Sequence, residues 1–146
     1  MNNFTYYNPV QMVFGKGSIA KLSEFIPTDK KIMVIYGGGS IKHNGVYNQV
    51  LQALRHYCLV EFPGIEPNPQ YDTCLQAVDS IRKQHVDYLL AVGGGSVVDG
   101  TKFIAAAACY EGKDPWEICT SRGDIIQRAL PLACVLTLPA TGSEMN

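Results

Sequence analysis

Charge is scarce in this chain and nowhere gathered. Charged residues are 17% of the 146 and the formal net charge is -1. No Lys/Arg block exists, so the basic face that a nucleic-acid partner demands is missing. Long apolar runs are missing too. The longest uncharged apolar stretch, Phe103 to Cys109, falls far short of the roughly 20 residues that a membrane span needs. The start, Met1 to Asn8, lacks the basic n-region and apolar run of a secretory signal. Cysteine is present but unpaired in pattern: five residues, an odd count, at 58, 74, 109, 119 and 134, with no C-x-x-C. That excludes a zinc ribbon and a disulfide framework, and implies reduced thiols in a cytoplasm. All five read as buried small hydrophobes. The three histidines, His43, His56 and His85, form no H-x-x-x-H pair, so no metal site is expected from them.

What is present is a globular composition, 47% hydrophobic, in a length that suits one domain. Residues 4 to 15 read as a hairpin about Asn8-Pro9, with Val10, Met12 and Phe14 alternating. Ser18 is placed to cap a helix with Ile19, Leu22, Phe25 and Ile26 on one face, ended by Pro27. Ile32 to Tyr36 is a short apolar strand, followed by a helix over Gly45 to Tyr57 with Val46, Val50, Leu51 and Leu54 on one side. Leu59 to Phe62 is a second strand, and the three prolines between 63 and 69 exclude a helix there. Tyr71, Cys74, Leu75, Val78 and Ile81 keep helical spacing. Tyr88 to Val92 is the third strand, with a helix running on through Ala108. Asp114-Pro115-Trp116-Glu117 carries a helix-start signature. Leu132 to Leu138 is the last strand, and 139 to 146 read as a loop. Continuous apolar strands alternating with helices predict a Rossmann-like parallel α/β sheet with helices on both faces, preceded by the hairpin.

Two segments repeat: Gly37-Gly38-Gly39-Ser40 after the first strand and Gly93-Gly94-Gly95-Ser96 after the third. In a parallel sheet such turns open on one edge. Glycine lets a ligand approach the backbone, and the free N–H groups of a following helix attract an anion. Two such turns on one edge suit a ligand with several phosphates, as in a dinucleotide. The plainer reading stays open: each turn is linker-like by itself, and Ser96 with Asp99 is a possible helix-capping pair. NAD sites usually offer an acid to the adenosine ribose. None follows Tyr36 closely, whereas Ser40 can donate to a 2′-phosphate and Lys42 can neutralise it, which favours NADP over NAD. Lys42 as a solvated lysine is the competing reading.

These turns, with Phe14-Gly-Lys-Gly17, Gly64-Ile-Glu-Pro-Asn-Pro69, Ala91 to Lys102, Asp114-Pro-Trp116 and Leu136 to Glu144, resemble the iron-containing (group III) alcohol dehydrogenases over the whole length. The nearest likeness is to the NADPH-dependent aldehyde reductases called butanol dehydrogenases, of the dehydroquinate-synthase-like superfamily. The resemblance implies that Gly93, Gly94, Gly95 and Ser96 cradle the pyrophosphate. It places Gly37, Gly38, Gly39 and Ser40 at the adenosine ribose and 2′-phosphate, and Asn68 near the adenosine. Thr137 and Thr141 become contacts to the adenine or nicotinamide half. Asp99, near the nicotinamide ribose and substrate, becomes the candidate catalytic residue. The implied reaction is hydride transfer between NADP(H) and an aldehyde or alcohol, with Fe²⁺ or Zn²⁺ as Lewis acid, in a cytoplasmic homodimer with no nucleic-acid or membrane partner. The family holds its metal by one Asp and three His in a following helical domain that this chain does not contain. Residues 1 to 146 are thus expected to be the nucleotide-binding domain, short of its last strand, binding cofactor without turnover. A non-catalytic nucleotide module and an NAD-dependent relative such as a glycerol dehydrogenase are the alternatives.

Overall fold

The computed structural model describes residues 5–146. Four strands, β1 (Lys31–Tyr36), β2 (Cys58–Phe62), β3 (Tyr88–Gly94) and β4 (Leu132–Leu138), form one sheet in the order β2-β1-β3-β4. Every pairing is parallel. A parallel sheet buries both faces, so its central strands must be apolar at successive positions. β1 and β3 meet that demand: Ile32 to Tyr36 and Leu89 to Val92 are all buried. Alternation then divides them between two cores. Met33, Ile35, Leu89 and Ala91 pack under the helices α4 (Tyr71–Gln84) and α5 (Gly95–Ala108). Ile32, Val34, Tyr36, Leu90 and Val92 pack with Ile26, Ile41, Val50 and Leu54 on the other face. That face carries a 3-10 turn (Ser18–Lys21) running into α1 (Leu22–Phe25), then α2 (Ser40–His43) and α3 (Val46–Ala53). A last one-turn helix, α6 (Glu117–Thr120), lies before β4.

The parallel α/β architecture stands as expected, but several local readings are corrected. The hairpin is absent: residues 5 to 14 form no strand, and Phe4 lies outside the described residues. Here the alternating side chains find no partner strand. Asn8 instead folds the segment locally, its side-chain oxygen accepting the Val10 N–H at 2.9 Å, an Asx-type turn that competes with a ladder. Tyr6, Tyr7, Met12 and Phe14 stay exposed. Ser18 does not cap. It is the first residue of the 3-10 turn, and Gly17, left-handed at φ 79, occupies the cap position. Phe25 points to solvent while Ile26 is buried, because the 3-10 turn rotates the helix face. The helix expected over 45 to 57 ends at Ala53, and residues 54 to 56 form a turn that delivers the chain to β2. The Asp114 signature works one turn early: its carboxylate accepts the Trp116 N–H at 2.9 Å, its carbonyl accepts the Glu117 N–H, and the helix lasts four residues. All five thiols are free, but only Cys74 is buried. Cys58, opening an outer strand, and Cys119, on α6, are exposed.

Candidate functional site

Strand order decides where a ligand can sit. The connection from β1 leads to β2 on one side, and β3 lies on the other. The crevice beyond the carboxyl ends of β1 and β3 is therefore the switch point at which open α/β sheets bind ligands. Both glycine turns border it. Tyr36 is in register with Val92, so Gly37, just past β1, and Gly93 and Gly94, the last residues of β3, lie side by side at the same edge.

Four of the six glycines are required by the fold itself. Gly39 has φ +100, a conformation that side chains rarely adopt. A Cβ on Gly93 would stand 2.6 Å from Val97 Cγ2, and one on Gly95 2.6 Å from Thr141 Oγ1. One on Gly37 would lie 3.2 Å from the Ile65 carbonyl oxygen. Gly38 and Gly94 differ. Neither has a positive φ. A Cβ at 38 would meet nothing within 4 Å, and one at 94 only Leu138 Cβ, at an ordinary 3.7 Å. Gly94 stands at the register irregularity of β3, a place glycine often takes. At Gly38 neither φ nor packing demands glycine, and the open backbone leaves room for a ligand's close approach.

The sequence-predicted residues gather here in part. The helix-capping pair does not form: α5 begins at Gly95 with no side-chain cap, so Ser96 is not spent on Asp99. Its hydroxyl instead accepts the Asn68 N–H at 3.4 Å, which brings Asn68, left-handed at φ 58, to the second turn. Thr141 also reaches that turn, with its hydroxyl 2.8 Å from that of the buried Ser143. Thr137 lies at the carboxyl end of β4, beside the irregular Gly93/Gly94 register. Asp99 is exposed one turn into α5 and borders an apolar concavity of about 270 Å³ with Pro69, Gly100, Phe103 and Trp116.

The Gly64 to Pro69 segment also shapes the site, as does Glu61, which the sequence did not single out. The segment after β2 is stitched to the first turn, the Gly64 and Ile65 N–H groups donating to the Gly37 and Tyr36 carbonyls, each at 3.2 Å. Glu66 braces it, accepting the Thr73 hydroxyl at 2.7 Å. Contrary to expectation an acid does stand near the first turn: Glu61, on the adjoining β2. Its carboxylate accepts the Tyr36 hydroxyl at 2.7 Å and the Tyr47 hydroxyl, and lies 3.7 Å from Lys42 Nζ. The Tyr47 hydroxyl foremost, then that of Tyr36, holds the Glu61 carboxyl below its ordinary range, against the effect of burial. The Lys42 ammonium stands over the Tyr36 and Tyr47 rings, at 5.2 and 4.8 Å from their centres. Lys42 is therefore not merely solvated. Pairing of β1 with β2 makes this cluster, and no local spacing announces it.

A family model described as "Iron-containing alcohol dehydrogenase" matches residues 9–146. The chain belongs to the iron-containing alcohol dehydrogenase family. It is 58% identical to the "NADPH-dependent aldehyde reductase YqhD" of Escherichia coli K12, aligned over 100% of this chain and 38% of that protein. The crystal structure of E. coli K-12 YqhD superposes with a TM-score of 0.96 at 57% identity, over 99% of this chain and 37% of that one. The NADH-dependent butanol dehydrogenase A of Thermotoga maritima superposes with a TM-score of 0.91 at 46% identity, over 100% of this chain and 37% of its own. This family member thus spans about 38% of the length of such a relative. Among its described residues no group of three or more His, Cys, Asp or Glu could hold a metal ion, so these residues do not fit the iron in the family name. Nor is any described helix long and apolar enough to cross a membrane.

Proposed function

We propose that residues 1–146 are the NADP(H)-binding domain of a metal-dependent alcohol dehydrogenase or aldehyde reductase. Adjacent glycine segments at one sheet edge, with open backbone at Gly38 and Gly94 for a ligand to approach, carry the reading. In it Gly93, Gly94, Gly95 and Ser96 hold the pyrophosphate, the anion meeting backbone N–H groups at the start of α5. Gly37, Gly38, Gly39 and Ser40 hold the adenosine ribose and its 2′-phosphate, with Lys42 supplying the charge. Asn68 lies near the adenosine, and Thr137 and Thr141 steady the adenine or nicotinamide half. Asp99 orients the nicotinamide ribose and the approaching substrate. When bound, the cofactor supplies a hydride at nicotinamide C4, and an aldehyde or alcohol is the substrate class. The names of the YqhD and butanol dehydrogenase relatives, which specify NADPH and NADH, favour such chemistry. Free thiols suit a reducing cytoplasm, and the exposed Tyr6, Tyr7, Met12 and Phe14 suit burial in a homodimer.

The test is a thermal-shift titration of the chain with NADPH and with NADH. A ligand that binds only the folded state raises its stability with concentration. NADPH is expected to raise the melting temperature progressively. Absence of a shift with either cofactor overturns the assignment.

A further inference from the structure

Ser143 is a polar residue buried to 2% exposure in the loop after β4, and the cofactor reading gives it no part. Its hydroxyl lies 2.8 Å from that of Thr141, and among the described residues no other side-chain hydrogen bond reaches it. Thr141 is exposed. Gly142, left-handed at φ 72, turns the chain between them. Both side chains then lie over Gly95, the first residue of α5. A Cβ there would stand 2.6 Å from Thr141 Oγ1 and 3.1 Å from Ser143 Oγ. The hydroxyl pair therefore rests on bare backbone at the helix start, where free N–H groups draw an anion. Either oxygen of such a pair can donate, and each hydroxyl has one hydrogen. Burial decides the direction. Were Thr141 the donor, the Ser143 hydrogen would be left buried without an acceptor, which is costly. With Ser143 as the donor, its hydrogen is satisfied and the exposed Thr141 keeps its own for a ligand.

We propose that Ser143 is a positioning residue for the cofactor: it donates to Thr141 and so fixes the Thr141 hydroxyl as a donor to an oxygen of the cofactor's pyrophosphate at the start of α5. The proposal rests on the cofactor reading of the glycine turns, and it names the part of the ligand that Thr141 meets. Ser143 itself touches no ligand. It governs the direction of one proton. A hydroxyl without a partner turns freely, whereas one that already accepts from Ser143 presents its hydrogen outward. An ionised phosphate oxygen only accepts hydrogen bonds, so that direction decides whether the contact forms.

The experiment is a double-mutant cycle on the chain. Dissociation constants are read for NADPH from nicotinamide fluorescence and for adenosine 2′-monophosphate by competition. Thr141→Val is expected to weaken NADPH about tenfold, since a hydrogen bond to a charged acceptor is lost. Ser143→Ala is expected to weaken it about fivefold. In the Thr141→Val background, Ser143→Ala is expected to change it less than about twofold, because the two residues act as a unit. Adenosine 2′-monophosphate carries no pyrophosphate, and its affinity is expected to hold in every variant. Ser143→Cys keeps the volume and offers a weaker donor, so it is expected to bind NADPH as the alanine variant does. Wild-type NADPH affinity in Ser143→Cys means that Ser143 only fills space and overturns the proposal. So do an unchanged Ser143→Ala, losses that add in the double variant, or an equal loss for both ligands, each of which leaves the glycine turns as the cofactor site. A wild type that does not bind NADPH overturns that site, and the positioning role with it. Should Ser143→Ala not fold, the comparison of Ser143→Cys with the wild type still decides.

Discussion

The glycines of the two turns fall into two kinds that the letters of the sequence cannot separate. Gly93 and Gly95 are needed because Val97 and Thr141 occupy the space a side chain would take; Gly38 and Gly94 have room to spare. Alanine should divide them. Gly93→Ala forces a Cβ into Val97 and is expected to lower the unfolding free energy by about 1–3 kcal/mol in a urea titration. Gly38→Ala and Gly94→Ala are expected to leave stability within about 0.5 kcal/mol of wild type and to weaken NADPH binding in the same preparation. A tight-binding, fully stable Gly94→Ala would show that the backbone there meets no ligand. Ser96 was legible as a turn residue, but which partner it serves depended on where Asn68 comes to lie.

At the level of elements, β1, β3 and the turns after them were readable because a strand buried on both faces has to be continuously apolar. The 5 to 14 segment misled for a complementary reason: alternation reports a preference for pairing, and the partner is a tertiary matter. Glu61 was missed because it faces Lys42 only once β2 lies alongside β1. The α6 turn hangs on Asp114, whose carboxylate accepts both the Trp116 N–H and the Tyr71 hydroxyl. Asp114→Ala is expected to lower the urea midpoint slightly, as a lost cap does. It should also move the emission of Trp116, the only tryptophan, to longer wavelength as its packing on Tyr71 loosens. Unchanged emission would mean that α6 is held by other contacts.

For the molecule as a whole, acid should weaken the fold in a defined direction. Hydroxyl donors hold three carboxyls below their ordinary range: Tyr47 at Glu61, Thr73 at Glu66 and Tyr71 at Asp114. A group with a depressed folded-state value stabilises fully above its unfolded value, near 4, and loses that contribution as pH falls through the folded one. The urea midpoint should fall as pH drops below about 5, and the double variant Glu61→Gln, Asp114→Asn should flatten part of the fall. An identical slope in the variant would remove these two groups from the account. The segment from Ile65 to Pro69 gives the molecule one more property. Its Ile65 carbonyl crowds Gly37, its Asn68 N–H meets Ser96, and its Pro69 packs against Gly100. It works as a gauge block between the two glycine segments, so their separation is written into the covalent chain; were both to hold phosphates as proposed, the span between a ligand's charged groups would be matched to that fixed length.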